Sequence, residues 1–197
     1  MKKLPKLPQI LISVGIGLIV VSALLFIFIL APVAKVEVNY TLNKPNKTVN
    51  QIKPVSTEFG IVIPKIGANA RIIEGVDPFN PKTYEIALSK GVAQAKGTAF
   101  PNQTGNMFLF SHSSANLIEA TRFNSVFYLL SKLKKGDDIY IYYKNQRYKY
   151  EVSETKIVDA SNVSYLNPKS SEKTLTLMTC WPAGTDYKRL LVIATAK

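Results

Sequence analysis

The chain contains one cysteine and one histidine, and each follows a short apolar stretch with the composition of a buried strand. Cys180 comes directly after residues 174–179, and His112 comes after residues 106–111. A thiolate is a strong nucleophile, and an imidazole can transfer a proton to a departing amine. Arg189 follows Cys180 across a loop with proline and glycine, and its permanent charge can stabilise an oxyanion. Together these residue types point to a cysteine nucleophile with a basic partner.

Each of these residues also has a structural explanation. A lone cysteine in an exported domain has no internal disulfide partner, so it is a buried thiol, a link between two chains or a reactive nucleophile. A lone histidine is more often structural, and an arginine that opens a strand is usually a solvated charge. The spacing of the three residues by itself leaves these alternatives open.

The elements that must position these residues are mostly strands. Short β-branched or alternating stretches, separated by turn residues, predict seven or eight strands and two short helices. The strands are predicted at 59–64, 70–74, 106–111, 138–143, 147–158, 174–179 and 189–194, and the helical stretches at 81–90 and within 113–136. Hairpin signals between the strands favour a closed β-barrel over alternating strands and helices.

The N-terminal region has the properties of a membrane anchor. Residues 10–31 carry no charge and, as a helix, extend about 33 Å, which is enough to cross a hydrocarbon core of about 30 Å. Lys2, Lys3 and Lys6 precede this stretch, so the N-terminus is predicted to be cytoplasmic and residues 32–197 to lie outside the membrane. The alternative is a cleaved signal peptide, which the length of the stretch and the weak cleavage pattern disfavour.

The predicted organisation has four parts. Residues 1–9 form a cytoplasmic tail, 10–31 the transmembrane anchor, 32–56 a proline- and lysine-containing stalk, and 57–197 the catalytic domain. A short strand within the stalk, at residues 36–40, is compatible with its alternating composition. The last predicted strand closely precedes the end of the given sequence, and no second apolar span follows it.

The composition excludes several partners. The net charge is +12, but the basic residues are scattered, and an external location makes nucleic acid an improbable ligand. One histidine and one cysteine provide no cluster of metal ligands, and the acidic residues form no calcium loop. We therefore predict neither a metal nor a cofactor.

Two segments resemble the sortase family. The segment from Thr174 to Val192 (TLTLMTCWPAGTDYKRLLV) resembles the family signature of a Thr-Leu-x-Thr-Cys strand, a loop, and an arginine that opens an apolar strand. The segment from Gly105 to His112 (GNMFLFSH) is similar to the family's Gly-Asn, apolar strand and histidine. The resemblance covers roughly residues 57–196.

The resemblance implies an eight-stranded β-barrel and a Cys180, His112 and Arg189 site. It implies that Cys180 attacks the carbonyl of a threonine-like residue in a short C-terminal sorting signal and forms a thioester. His112 then protonates the departing amine, and Arg189 binds the oxyanion. The implied partners are surface proteins that carry the signal, and an acceptor amine from peptidoglycan or a pilin.

The same resemblance suggests which residues contact the substrate. Thr179 matches a position that helps to bind the substrate, and the loop at 159–173 shapes the groove in the family, so Tyr165 and Leu166 are candidate contacts. Ser111 and Trp181 are further candidates beside His112 and Cys180, although simple packing also explains a tryptophan there.

The class of sortase stays open at this stage. The loop between Cys180 and Arg189 resembles the pilus-assembling class, whereas the absence of a C-terminal membrane helix argues against the layout of that class. Two other functions remain as alternatives to a transpeptidase. One is a thiol hydrolase on the same scaffold, and the other is a tethered barrel that binds wall peptides without turnover.

Overall fold

The computed structural model describes residues 6–42, 52–113, 126–166 and 171–197. Within these ranges the chain forms two α-helices and eight strands. The helices are α1 (Lys6–Leu42) and α2 (Pro81–Leu88), and the strands are β1 (Phe59–Ile63), β2 (Ala68–Val76), β3 (Val92–Ala95), β4 (Gly105–Phe110), β5 (Asp138–Tyr143), β6 (Gln146–Asp159), β7 (Lys173–Trp181) and β8 (Lys188–Ala196). Single 3-10 turns occur at Pro64–Ile66, Leu130–Lys132 and Ser164–Leu166.

The eight strands close into a barrel in the order β1-β2-β3-β4-β7-β8-β6-β5. Two neighbouring pairs are parallel, β2 with β3 and β4 with β7, and the other pairs are antiparallel. A closed barrel leaves no unpaired strand edge, so every strand in it is held on both sides. The strands that end in the candidate site residues, β4 and β7, are therefore rigid supports.

The inner face of the barrel is the main hydrophobic core. Side chains on a strand point alternately to its two faces, and every second residue of each strand lies inside. The almost fully buried members of this core include Ile61, Met107, Leu109, Ile139, Ile141, Leu175, Leu177, Val192 and Ala194. Because this stack fills the interior, the barrel is a packed scaffold and its chemistry has to lie on the outer face or at the ends.

A second hydrophobic cluster covers part of the outer face. The outward side chains Phe108 and Phe110 of β4 pack beneath Ala87 and Leu88 of α2. Tyr165, from the loop between β6 and β7, packs against the same cluster. Two separate segments thus rise above β4 on its outer side and border the surface that carries the candidate site.

The hairpin between β5 and β6 shows how local sequence sets the strand register. Lys144 and Asn145 both have positive φ angles, 50° and 63°, as a two-residue type I′ turn requires. Asparagine adopts this conformation more easily than most residues. The turn brings Tyr143 opposite Gln146 and starts an uninterrupted antiparallel ladder.

The structure confirms the predicted mostly β barrel of about eight strands with an apolar N-terminal helix. It also corrects details. Residues 32–42 continue helix α1, where an irregular stalk with a short strand was predicted. Strand β3 was not singled out, because its four residues are too short to show an alternation. Of the helical stretch predicted within 113–136, residues 114–125 lie outside the described ranges, and the remainder contains only the 3-10 turn Leu130–Lys132.

We expect the barrel to depend on its inner face. Replacing the fully buried Leu177 with alanine should lower the free energy of unfolding by about 2–5 kcal/mol, since it removes buried methyl groups and leaves a cavity. Urea unfolding of the full chain in detergent, followed by the fluorescence of the single tryptophan, measures this change. Ile157→Ala, at a side chain that is 52% exposed, is the matched control and should cost less than about 1 kcal/mol. Equal losses in the two variants would contradict this account of the core.

Candidate active site

Strands β7 and β8 bring the cysteine and the arginine together. In their antiparallel register Cys180 lies directly opposite Arg189, and Trp181 lies opposite Lys188. Side chains that are directly opposite in such a pair project from the same face and are close neighbours. The loop between the two strands therefore returns the chain so that a thiol and a guanidinium meet at one end of the barrel.

The histidine reaches the same place from the other side of β7. Strand β4 runs parallel to β7, with Phe110 paired with Met178. The amide of Ser111 donates a hydrogen bond of 3.2 Å to the carbonyl oxygen of Met178, which continues this register past the end of β4. Continued for two more residues along each chain, this register sets His112 level with Cys180 and on the same face. Cys180 and Arg189 are paired on the outer face of the barrel, and His112 follows the end of the neighbouring strand β4.

The side chains next to the site hold its backbone in place. Thr179 alternates with Cys180 and points inward, where it is only 2% exposed. Its hydroxyl donates a hydrogen bond of 2.9 Å to the carbonyl oxygen of Ser111, which is itself buried. This bond joins the residue before the cysteine to the residue before the histidine. The geometry gives the side chain of Thr179 a positioning role, whereas Ser111 takes part through its backbone carbonyl and amide.

The guanidinium of Arg189 is oriented by its own loop. Its Nη1 donates hydrogen bonds to the carbonyl oxygens of Asp186, at 2.8 Å, and Lys188, at 3.1 Å. These bonds use one nitrogen of a planar group that has five N–H donors. The anchored cation stays partly exposed beside the thiol, and it retains donors for a ligand.

The thiol has a mixed electrostatic environment. Burial of Cys180 raises its pKa, because the thiolate loses hydration. The charge of Arg189 acts in the opposite direction and lowers this pKa, while the carboxylate of Asp186 raises it further. The thiol is therefore mainly protonated at neutral pH, and the arginine partly offsets the effect of burial.

The comparisons with known proteins agree with this geometry. The family model for the sortase domain matches residues 61–197. The chain belongs to the sortase family.

Individual relatives support the assignment. Sortase D from Bacillus subtilis strain 168 is 29% identical over 163 residues, which is 79% of this chain and 74% of that protein. Among solved structures, a Clostridium perfringens Sortase D5 transpeptidase is 29% identical, with a TM-score of 0.58 over 81% of this chain and 90% of the other. Sortase C1 from Streptococcus suis is 27% identical, with a TM-score of 0.59 over 72% of this chain and 74% of the other. As a sortase, the chain is an enzyme of a transpeptidase family.

Tyr165 brings the β6–β7 loop of this sortase to the candidate site. Its ring stacks on Phe108 of β4, with ring centroids 5.7 Å apart and an angle of 20° between the planes. Burial raises the pKa of Tyr165, the charge of Arg189 lowers it, and that of Cys180 raises it. The neighbouring Leu166 packs against the same outer cluster. Both predicted loop contacts thus lie beside the outer face that bears the thiol.

Trp181 has a different environment from the one that a groove contact requires. It is the last residue of β7 and packs partly buried against the inner core cluster at the end of the barrel. Because side chains alternate along a strand, Trp181 points to the same inner face as Thr179 and to the opposite face from Cys180. The structure therefore gives this tryptophan the packing role that was the alternative to contact with substrate.

A cleft of about 510 Å³ lies on the outer face next to the site, and we call it the outer cleft. Its floor is made by outward residues of β4, β7 and β8, and its sides by β6 and the β6–β7 loop. The main lining residues are Asn106, Thr174, Thr176, Leu191, Ile193 and Tyr165. Leu191 is the next outward residue after Arg189 along β8, so the cleft begins close to the candidate site.

Two features of the site were absent from the sequence-based prediction. Asp186 influences the thiol through a loop whose path the sequence does not reveal. The lining of the outer cleft comes from four strands and a loop, and Asn106 carried no signal beyond its place in a Gly-Asn pair. Among the residues that the structure describes, no group of three or more histidine, cysteine, aspartate or glutamate side chains is arranged to hold a metal ion.

Arg189 and Asp186 have opposite effects on the pKa of Cys180, and this can be tested by measuring how its alkylation depends on pH. The rate of Cys180 alkylation by iodoacetamide should rise with pH through an apparent pKa above the ordinary thiol value of about 8.5. Arg189→Ala should move this pKa higher, since a favourable cation is lost, and Asp186→Asn should move it lower. Lys188→Ala is the control. It removes a nearby charge that is not among those acting on the thiol, so it should leave the pKa of Cys180 unchanged. A shift in the same direction for the Arg189 and Asp186 variants would disprove the electrostatic account.

Proposed function

We propose that this sortase is a membrane-anchored cysteine transpeptidase that cleaves a C-terminal sorting signal and joins the shortened protein to an amine. The observation that carries the proposal is the register of β4, β7 and β8. It brings one thiol, one imidazole and one guanidinium side by side on a partly exposed face. In the proposal, Cys180 is the nucleophile, His112 the acid and base, and Arg189 the oxyanion ligand.

The first half-reaction forms an acyl-enzyme. The thiolate of Cys180 attacks the carbonyl carbon of a threonine-like residue, and the carbonyl oxygen takes up the negative charge. Collapse of this intermediate breaks the peptide bond as His112 gives a proton to the leaving amine. The product is a thioester between Cys180 and the surface protein. Because burial raises the pKa of the thiol, the reactive thiolate is a minor species that Arg189 helps to stabilise.

The second half-reaction transfers the acyl group. An acceptor amine attacks the thioester carbonyl, His112 takes the proton of that amine, and the carbon–sulfur bond breaks to release the thiol. In the proposal the acceptor is a peptidoglycan cross-bridge or stem-peptide amine, or a pilin lysine. Water in place of the amine would give a hydrolase, and this is the alternative that product analysis separates.

Arg189 is suited to the oxyanion through its anchoring. The carbonyls of Asp186 in the loop and Lys188 at the start of β8 fix its Nη1, so the guanidinium does not have to be ordered when charge develops on the substrate. A donor that is preorganised in this way contributes more to catalysis than one that must reorient. The hydroxyl of Thr179 keeps the two strand ends in register through Ser111.

The substrate groove follows from the borders of the outer face. Tyr165 and Leu166 stand on the side of the β6–β7 loop and are proposed to contact the sorting signal. Helix α2 stands on the opposite side, where Tyr84 packs edge-on against Phe110, two residues before His112. The signal would lie between these two borders, with its scissile bond above Cys180.

The N-terminal helix fits a role as anchor. The segment Ile10–Phe28 is long and apolar enough to cross a membrane, with a mean hydropathy of 2.9. We propose that residues 1–9 are cytoplasmic, that 10–31 cross the membrane once, that 32–56 connect, and that the catalytic domain at 57–197 is extracellular. In that location the enzyme meets surface proteins and envelope amines, and it has no nucleic-acid partner.

The proposed chemistry predicts a covalent adduct. Incubation of the full chain in detergent with a pool of Leu-Pro-x-Thr-Gly pentapeptides should add an acyl group to Cys180, visible by mass spectrometry. A glycine or diaminopimelate amine should then remove the adduct and yield a new amide. Cys180→Ala should form no adduct, because no thiol is present.

Three results of this experiment would count against the proposal to different degrees. Resolution of the adduct by water alone, with no amide to the added amine, would indicate the hydrolase. Binding of the peptides without turnover, unchanged in Cys180→Ala, would indicate a non-catalytic barrel. No adduct together with a thiol inert to alkylation in the folded chain would exclude Cys180 as a nucleophile.

The proposed topology predicts a labelling pattern. In a Cys180→Ser background, Lys197→Cys should react with a membrane-impermeant maleimide on intact cells, because the catalytic domain is outside. Lys3→Cys should react only after the cells are permeabilised, since the positively charged tail stays in the cytoplasm. Labelling of both positions on intact cells, or of neither, would contradict the topology.

A further inference from the structure

The amide of Asn106 has an unbalanced set of partners. Its Oδ1 accepts hydrogen bonds from the hydroxyls of Thr176, at 2.9 Å, and Thr174, at 3.1 Å. Its Nδ2 is buried and has no hydrogen-bond partner among the residues that the structure describes. The residue as a whole is only 6% exposed. A buried donor without an acceptor is unfavourable, so this nitrogen has a reason to bind a ligand.

The side chain of Asn106 belongs to the outer face of the barrel and not to its inner core. Asn106 lines the outer cleft, on the face of β4 that also bears Phe108, Phe110 and His112. The two threonines belong to β7 and hold the oxygen end of the amide, so its nitrogen end is turned away from them. The cleft volume of about 510 Å³ is within the range of about 300–1,000 Å³ that is usual for ligand sites.

The chemistry of the cleft suits a peptide backbone. Leu191 and Ile193 make an apolar floor, and the polar lining is mostly hydroxyl and amide groups. The one lysine in the lining, Lys156, is ion-paired with Glu154 at 2.9 Å on the same strand. Neutral donors beside apolar surface match an extended peptide better than an anion.

The distance of the outer cleft from the thiol determines which residues of a peptide substrate the cleft can bind. Asn106 is paired with Thr174, which is six residues before Cys180 along β7. At about 3.3 Å per residue, the amide is about 20 Å from the thiol, and an extended substrate whose upstream residues run along β7 toward Thr174 would reach it at the sixth residue before the acylated one. The end of the outer cleft that is nearer to the thiol is formed by Leu191. This residue is paired with Met178, two residues before Cys180. A pentapeptide signal has three residues before the acylated threonine and therefore ends short of Asn106.

We propose that the outer cleft binds the substrate residues immediately upstream of the pentapeptide signal, and that Nδ2 of Asn106 donates a hydrogen bond to one of their backbone carbonyls. The inference rests on the proposed function, since it assumes that Cys180 acylates a sorting signal. The proposed contact is to main-chain atoms of the substrate. Because these atoms are the same in every residue, the contact is compatible with different upstream sequences. Because Nδ2 is buried, the inference includes a local side-chain displacement in the outer cleft when the peptide binds.

The test compares two capped peptides with the full chain in detergent. One is the best-cleaved Leu-Pro-x-Thr-Gly pentapeptide, and the other carries three additional alanines before the leucine. The wild-type enzyme should show a KM at least fivefold lower for the longer peptide with little change in kcat, because the added residues supply backbone groups only. In Asn106→Leu the ratio of the two KM values should fall to about one. Asn102→Leu, at an exposed turn residue outside the cleft, is the matched control and should keep the wild-type ratio.

A second measurement does not depend on the stability of a variant. Each added amide in the longer peptide is replaced in turn by an ester, whose carbonyl is a weaker acceptor, and the wild-type enzyme is assayed. Loss of most of the advantage at one position supports the inference, and an equal effect at all positions overturns it. A wild-type KM ratio near one, or an unchanged ratio in Asn106→Leu, also overturns it while the pentapeptide is still cleaved. Failure of the wild-type enzyme to cleave either peptide would overturn the proposed function and this inference with it.

Discussion

The site depends on the pairing of β7, which is bound in parallel to β4 and antiparallel to β8. One ladder sets the histidine level with Cys180, and the other sets Arg189 opposite to it. A shift of one residue in either register would turn a partner side chain into the barrel core, because strand side chains alternate between faces. The hydrogen bond from Thr179 to the carbonyl of Ser111 reinforces this register at the end where the residues meet.

The alternation of side chains along β7 assigns packing to the inward residues and the candidate site to the outward ones. Along β7 the inward residues Leu175, Leu177 and Thr179 are buried, whereas Cys180 belongs to the outward set and stays partly exposed. The barrel can therefore be packed tightly without enclosing the thiol completely. The thiol still loses enough hydration for burial to raise its pKa, and Arg189 supplies the charge that offsets part of this effect. Reactivity here is a balance between desolvation and one anchored cation.

The outer face extends the surface that is available to the proposed peptide substrate. Helix α2 and the β6–β7 loop rise on either side of β4, and the outer cleft continues beside β7 and β8 away from the thiol. A peptide held at Cys180 and extended along this face passes from the aromatic border at Tyr165 to the amide at Asn106. Recognition can thus be distributed over side chains of several rigid strands, which hold their geometry better than loops.

Much of the fold was accessible from local patterns. The strands with clear alternation were predicted within a few residues of their observed bounds, and the apolar N-terminal helix was predicted with a start close to the observed one. The prediction failed where the pattern is short or where tertiary context decides. Strand β3 has only four residues, and residues 32–42 continue a helix through a segment with an extended composition.

The sequence by itself determined which side chains can react, because one cysteine, one histidine and an arginine in family-like motifs left few choices. It also determined that the cysteine and the histidine follow apolar strands and that the arginine opens one. Only the tertiary structure decided that Thr179 and Trp181 point inward, that Asp186 acts on the thiol, and that a buried nitrogen of Asn106 has no partner in the part of the chain that the structure describes. These properties depend on register and on contacts between strands distant in sequence, and the local composition of a strand does not specify what lies across from it.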